Sequence, residues 1–167
     1  MDTIAVIRLG RLGDVTLTSP TIKNLRMLYP ESQILFVTRE MYKSLAEILP
    51  GVNRVLPFPD EGRYFDLVRL CSEIDEFEPK LIVDLHKNFR SFHLATLTKS
   101  PYRVVYHKRR KERLAAVHEK KFVSPVPHTI DLCVSPFQST YLCPLYNVPH
   151  CSSYKRYLLS SKYNVPS

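Results

Sequence analysis

Short apolar runs recur along this chain, each followed by a stretch in which apolar residues fall three or four positions apart. The first run, Ile4-Ala5-Val6-Ile7, has no polar interruption. Such a run suits a strand of a sheet covered on both faces. Helical spacing follows through Ile22, Leu25 and Leu28, and Pro30 ends it. Gln33 to Thr38 predicts a second strand, Met41 to Leu49 a short helix stopped by Pro50-Gly51, and Val52 to Phe58 a third strand. Phe65 to Phe77 then carries helical spacing at Leu67, Leu70, Ile74 and Phe77, and Pro79 marks the turn back. Leu81 to Leu85, Phe89 to Leu97 and Tyr102 to Tyr106 complete the series as strand, helix and strand. Alternation at this spacing predicts right-handed βαβ units and an α/β, Rossmann-like, doubly wound parallel sheet.

In the usual 3-2-1-4-5 order, the first and fourth strands are neighbours where the winding reverses, and ligands bind beyond their carboxyl ends. Two turns meet there. After the first strand comes Arg8-Leu9-Gly10-Arg11-Leu12-Gly13-Asp14, in which Gly10 and Gly13 allow positive φ and close backbone approach. Asp14, at the start of a helix, suits either a helix cap or a general base. After the fourth strand comes His86-Lys87-Asn88-Phe89-Arg90-Ser91, a polar and cationic turn. Lys87 and Arg90 there are either solvated helix-end charges or anion contacts. Asp84 and His86 have a spacing that could hint at metal, but two ligands make no site, so no metal is expected.

Charge sharpens the choice of ligand without fixing it. The chain of 167 residues is long enough for one domain with a proper core, and its net charge of +8 implies an anionic partner. Eight Lys or Arg, including Lys108, Arg109 and Arg110, lie between Arg103 and Lys121 against two Glu. The run follows a strand's carboxyl end, where an anion would be held. No aromatic and basic pattern of a known nucleic-acid motif accompanies it, so nucleic acid is not the expected partner. Residues 1–122 read as the folded domain. Residues 123–167 read as an irregular tail rich in Pro, Ser and Tyr, with three of the four cysteines, and show no periodicity. Cys71, Cys133, Cys143 and Cys151 form no C-x-x-C pair, which points to ordinary thiols. The amino terminus has no signal-peptide pattern and no run is long enough to span a membrane, so a cytoplasmic location is expected.

The chain resembles the glycosyltransferase family 9 heptosyltransferases of bacterial lipopolysaccharide core synthesis. The resemblance is carried by Ile7 to Val15 with Leu17-Thr18-Ser19-Pro20 and Leu28-Tyr29-Pro30, by Phe65-Asp66-Leu67-Val68, and by Val83 to Ser91. Arg103-Val104-Val105-Tyr106 and His128-Thr129-Ile130-Asp131 follow in the same order. Singly these segments are weak; their succession is more specific.

That resemblance implies the amino-terminal, acceptor-side half of a glycosyltransferase-B architecture and inverting transfer of heptose from ADP-heptose to a Kdo/heptose acceptor. It implies Asp14 as general base, with Gly10, Arg11, Gly13, His86, Lys87, Asn88, Arg90, Lys108, Arg109 and Arg110 around the substrate. The implied partners are an acidic glycolipid of the lipid A/Kdo type and a nucleotide-sugar donor, with no further cofactor. Peripheral contact at the inner face of the inner membrane goes with such an acceptor. Family members are about twice as long, which leaves room for a second α/β domain that binds the donor. The expectation is therefore a truncated chain, inactive alone. The alternative is a non-catalytic anion-binding module of the same fold.

Overall fold

The computed structural model of the chain describes residues 2–105. Five parallel strands, β1 (Thr3–Ile7), β2 (Gln33–Arg39), β3 (Arg54–Phe58), β4 (Pro79–Asp84) and β5 (Tyr102–Val105), form one sheet in the order β3-β2-β1-β4-β5. This is the predicted switch of winding. β1 is central, with Ile7 opposite Val37 on one side and Asp84 on the other.

The connections are α1 (Leu12–Thr16) and α2 (Ser19–Leu28), a 3₁₀ turn (Glu40–Tyr42) with α3 (Lys43–Glu47), α4 (Tyr64–Asp75), and α5 (Phe89–Leu97). Alternate strand residues point to opposite faces. Ala5, Ile7, Leu35, Val37 and Ile82 on one face pack with Leu67, Leu70 and Ile74 of α4 and Leu94 of α5. Ile4, Val6, Ile34, Phe36, Leu81 and Val83, on the opposite face, are equally buried, and so are Ile22 and Leu25 of α2. Both faces are covered, which is why the strands read as continuous apolar runs.

Several boundaries differ from the sequence expectation. The β1–β2 connection contains two helices, since α1 ends at Thr16 and α2 starts at Ser19 with Pro20 in its first turn. β3 begins two residues later than expected, at Arg54, because the Val52 N–H turns back to the Leu49 carbonyl (3.2 Å). Pro79 is the first residue of β4, a position where a missing N–H is tolerated. Pro57 lies inside β3, an edge strand, for the same reason. Glu78, just before Pro79, takes φ +46°, a left-handed turn into the strand.

Tyr106, the Lys108–Arg110 basic run, Cys133, Cys143, Cys151 and the expected tail at 123–167 lie outside the described residues. Cys71 is buried against α4's own core, and that burial pushes its thiol pKa up. Among the described residues no helix is long and apolar enough to cross a membrane.

Candidate functional site at the β1 and β4 carboxyl ends

A buried cation ties the two expected turns together. Arg8, the residue after β1, is only 5% exposed. Its backbone extends the sheet, with its N–H donating to Val37 O (2.9 Å) and its carbonyl accepting from Thr38 Oγ1 (3.0 Å). Its guanidinium donates through Nη1 to the Leu85 carbonyl at the end of β4. Through Nη2 it meets Asp14 Oδ1 at 2.9 Å. One side chain thus spans from the first turn to the second.

Asp14 sits in the first turn of α1, where its Oδ2 accepts a long contact from the Arg11 N–H (3.3 Å). The capping function is therefore present. It does not exhaust the carboxylate, whose side chain remains 41% exposed. Partial burial pushes the Asp14 pKa up, but the Arg8 charge, the Arg11 N–H, the Arg8 hydrogen bond and the nearby His86 together outweigh it. The net shift is downward. The group is thus held as an anion through the neutral range.

The expected positive φ at Gly10 and Gly13 is absent; among the described glycines only Gly51 has it, at +94°. Gly10 is needed for another reason. A Cβ there would lie 2.6 Å from Asp14 Oδ2, so a larger residue would displace the carboxylate. Gly13 faces open space, where a Cβ meets nothing within 4 Å.

The second turn is built on Asp84, which is fully buried. Its Oδ1 accepts from the N–H groups of His86 and Lys87, both at 2.9 Å, and its Oδ2 accepts from Ser91 Oγ at 3.0 Å. Lys87 is bent into the left-handed region at φ +49° by this arrangement. Asn88 then caps α5: its Oδ1 accepts from the Ser91 N–H (2.8 Å), while its own N–H donates to Ser91 Oγ (3.0 Å). Asp84 orders this turn, a role that the Asp84-x-His86 spacing did not suggest.

Beside these turns lies a hollow of about 360 Å³ that gathers the carboxyl ends of four strands through Leu9, Arg39, Phe58 and His86, with Asn88 and Arg90 closing it. Arg90 lies over the Phe58 ring, 5.5 Å from its centroid. A second hollow of about 580 Å³ lies on the β5 side, against Lys87, Phe89, Phe92 and Arg103. Asp14 lines neither hollow. It stands at the same edge of the sheet, coupled to the His86 turn through Arg8 and through the charge of His86. Of the expected residues, His86, Asn88 and Arg90 are brought to one hollow and Lys87 with Asn88 to the other, while Arg11 and Gly13 are exposed on α1's side.

Sequence reasoning missed Arg8, Arg39 and Asp84 as site builders. The signal for Arg8 and Arg39 was there: each is a cation closing an apolar run at a strand's carboxyl end. Arg8→Met should raise the Asp14 pKa toward or above the free-carboxylate value of about 3.9. Carboxyl-carbon NMR titration reads this directly. For a carboxylate with a depressed folded-state pKa, the stability contribution is complete above the unfolded value and is lost as pH falls through the folded one. The wild-type protein should therefore lose this contribution below about pH 4, and the Arg8→Met variant should show less of it. An unchanged Asp14 titration in that variant would remove Arg8 as the cause.

No family model and no curated protein matches this sequence. Solved structures do. A glycosyl transferase family 9 protein from Veillonella parvula DSM 2008 is similar over 82% of this chain, with TM-score 0.66 and 23% identity. The E. coli heptosyltransferase WaaC with ADP is similar over 81%, with TM-score 0.61 and 18% identity. E. coli ADP-heptose lps heptosyltransferase II is similar over 68%, with TM-score 0.55 and 18% identity. At these identities the likeness is one of fold, and it agrees with the Rossmann-like sheet described above. The chain spans 40%, 45% and 33% of those proteins' lengths, respectively.

Proposed function

We propose that this chain is the acceptor-side, amino-terminal domain of an inverting heptosyltransferase of lipopolysaccharide core synthesis. The reading assigns ADP-heptose as donor and a Kdo/heptose glycolipid as acceptor, and places the work at the cytoplasmic face of the inner membrane. The observation that carries it is the ionised, half-exposed Asp14 at the sheet's switch point, fixed by Arg8 beside a hollow rimmed by Arg39 and Arg90. The fold shared with family 9 and heptosyltransferase structures supports it.

In this reading Asp14 Oδ2 takes the proton from the acceptor hydroxyl as that oxygen bonds to the anomeric carbon and the nucleotide diphosphate departs. The neighbouring E. coli structure holds ADP, which supports a nucleotide-sugar donor. In this reading the nucleotide is held by a second, donor-binding α/β domain facing this one. Arg11, Lys87, Arg90, Arg39 and the Lys108, Arg109 and Arg110 run are assigned to carboxylates and phosphates of the acceptor. Gly10 leaves room for the Asp14 carboxylate, Gly13 is assigned to open space beside the acceptor, and His86 and Asn88 flank the acceptor in the hollow.

Calorimetric titration of the chain with a Kdo-containing acceptor and with ADP-heptose tests this assignment. Acceptor binding should be measurable and should weaken with salt, because exposed cations are screened over about 8 Å at physiological ionic strength. Donor binding should be the weaker of the two. Micromolar donor affinity without acceptor binding would overturn it, and binding of many unrelated anions alike would favour the non-catalytic module. Tight duplex DNA binding with a steep salt slope would indicate nucleic acid instead.

A further inference from the structure

Two short spacings build the hollow of about 580 Å³ on the β5 side. Phe89 and Phe92 stand three apart on α5, so their rings share one face of that helix. Arg103 and Val105 stand two apart on β5 and point to one face of the sheet. That face meets α5, since Arg103 Nη1 donates to Thr96 Oγ1 (3.0 Å) and the Arg103 guanidinium lies over the Phe92 ring, 5.0 Å from its centroid. The hollow between helix and strand is walled mainly by carbon, and Phe89 is still 74% exposed and Phe92 52%. Its volume is that of a small-molecule site.

Two cations, Lys87 and Arg103, line this hollow against one carboxylate, Asp84. The Asp84 oxygens are already engaged by the His86 and Lys87 N–H groups and by Ser91 Oγ. Arg103 Nη2 stands 3.8 Å from Asp84 Oδ2, outside hydrogen-bond range, and Arg103 Nε is buried with no hydrogen-bond partner among the described residues. The guanidinium is thus held in place by Phe92 and Thr96 while much of its donor capacity is unused. The balance at the hollow is one positive charge, presented in the planar fork that matches a carboxylate. A sugar is a poor fit. Its hydroxyls would lie against Phe89, Phe92 and Val105 without partners, whereas an aromatic ring has no such groups to desolvate.

We propose that this hollow binds a small aromatic carboxylate, its ring against Phe89 and Phe92 and its carboxylate between Arg103 and Lys87. Aromatic pairing with the two phenylalanines supplies the ring's share of the affinity, and the cations supply the orientation. Asp14 does not line this hollow, and Lys87 is the one cation it shares with the assigned acceptor contacts. The inference is independent of the proposed transfer reaction, since it involves neither a sugar nor a nucleotide.

Titration of the intact chain with 2-naphthoate, followed by amide NMR shifts, tests it. The shifts should concentrate at Lys87, Asn88, Phe89, Phe92 and Arg103 and fit a Kd of about 1 mM or below, ordinary for a ligand of that size. 2-Naphthylmethanol keeps the ring without the charge, and glucuronate keeps the carboxylate on a polyhydroxylated ring. Each should bind at least about tenfold more weakly. Arg103→Gln should weaken naphthoate binding by about tenfold and leave naphthylmethanol unchanged. Phe89→Ala, at an exposed position where circular dichroism should stay native, should weaken naphthoate binding roughly fivefold. Naphthylmethanol bound as tightly as naphthoate would overturn the proposal, because the cations would then play no part. Glucuronate bound as tightly would overturn it in favour of a sugar subsite. Shifts centred on Arg39 and Phe58 would move the ligand to the other hollow and overturn it too, as would undiminished naphthoate binding by both variants.

Discussion

On the proposed transfer reading, Asp14→Asn in the full-length enzyme is expected to lower kcat by at least about a hundredfold, the low end of what a positioned general base contributes. Asparagine keeps the size of the side chain and an oxygen able to accept from the Arg11 N–H, so the cap at α1 should survive. The basic lone pair is lost. Acceptor affinity should change little if the anion contacts come from Arg90, Arg39 and Lys87 rather than from the acid. Fold loss should also be small, although the buried Arg8 gives up its charged partner at 2.9 Å. The pH profile separates this from a structural role. A base whose pKa is depressed by Arg8 gives an acid limb of kcat/KM below the ordinary aspartate range, and Arg8→Met should move that limb upward. A merely structural ion pair would lower the melting temperature in both variants and leave the limb in place. Full turnover by Asp14→Asn would reduce Asp14 to a cap and an ion-pair partner.

The elements were legible wherever burial on both faces left a continuous apolar run or helical spacing left a stripe. β1, β2 and α5 stand within a residue of their expected bounds for that reason. Their order followed from the usual doubly wound arrangement, which no residue encodes by itself. The site was half legible. Asp14 and the His86 to Arg90 turn announced themselves as polar groups after strands. Arg8 did not, because its partners, the Leu85 carbonyl and Asp14, become visible only when β1 and β4 are side by side. Asp84 was hidden for a similar reason. Its spacing to His86 hinted only at metal, whereas two of its partners are backbone N–H groups that carry no sequence signal. Of the glycine expectation, positive φ failed at both positions, and close approach held at Gly10, where small size leaves room for the Asp14 carboxylate.

Asp84→Ala is expected to cost about 2–4 kcal/mol of folding stability, from two stranded N–H groups and a weakened cation site. The carboxylate is fully buried, and it receives the His86 and Lys87 N–H groups on one oxygen and Ser91 Oγ on the other. Arg103 Nη2 stands 3.8 Å from that second oxygen, so the substitution also leaves a guanidinium facing a void. Arg103 is 27% exposed and can turn toward water, which keeps the cost below that of a fully buried broken pair. Against a typical domain stability of about 5–15 kcal/mol, the loss should lower the melting temperature by roughly 10 °C. The turn should suffer first. Lys87 holds φ +49°, a conformation that costs a non-glycine residue about 1–2 kcal/mol, and the bond from its N–H to Asp84 is what compensates it. Hydrogen exchange at His86, Lys87 and Ser91 should therefore quicken before the β1 and β2 amides do. Asp84→Asn, which keeps an acceptor for the two N–H groups, should show about half the loss. A melting temperature for Asp84→Ala within roughly 2 °C of wild type would mean that water replaces the carboxylate and that the turn stands without it.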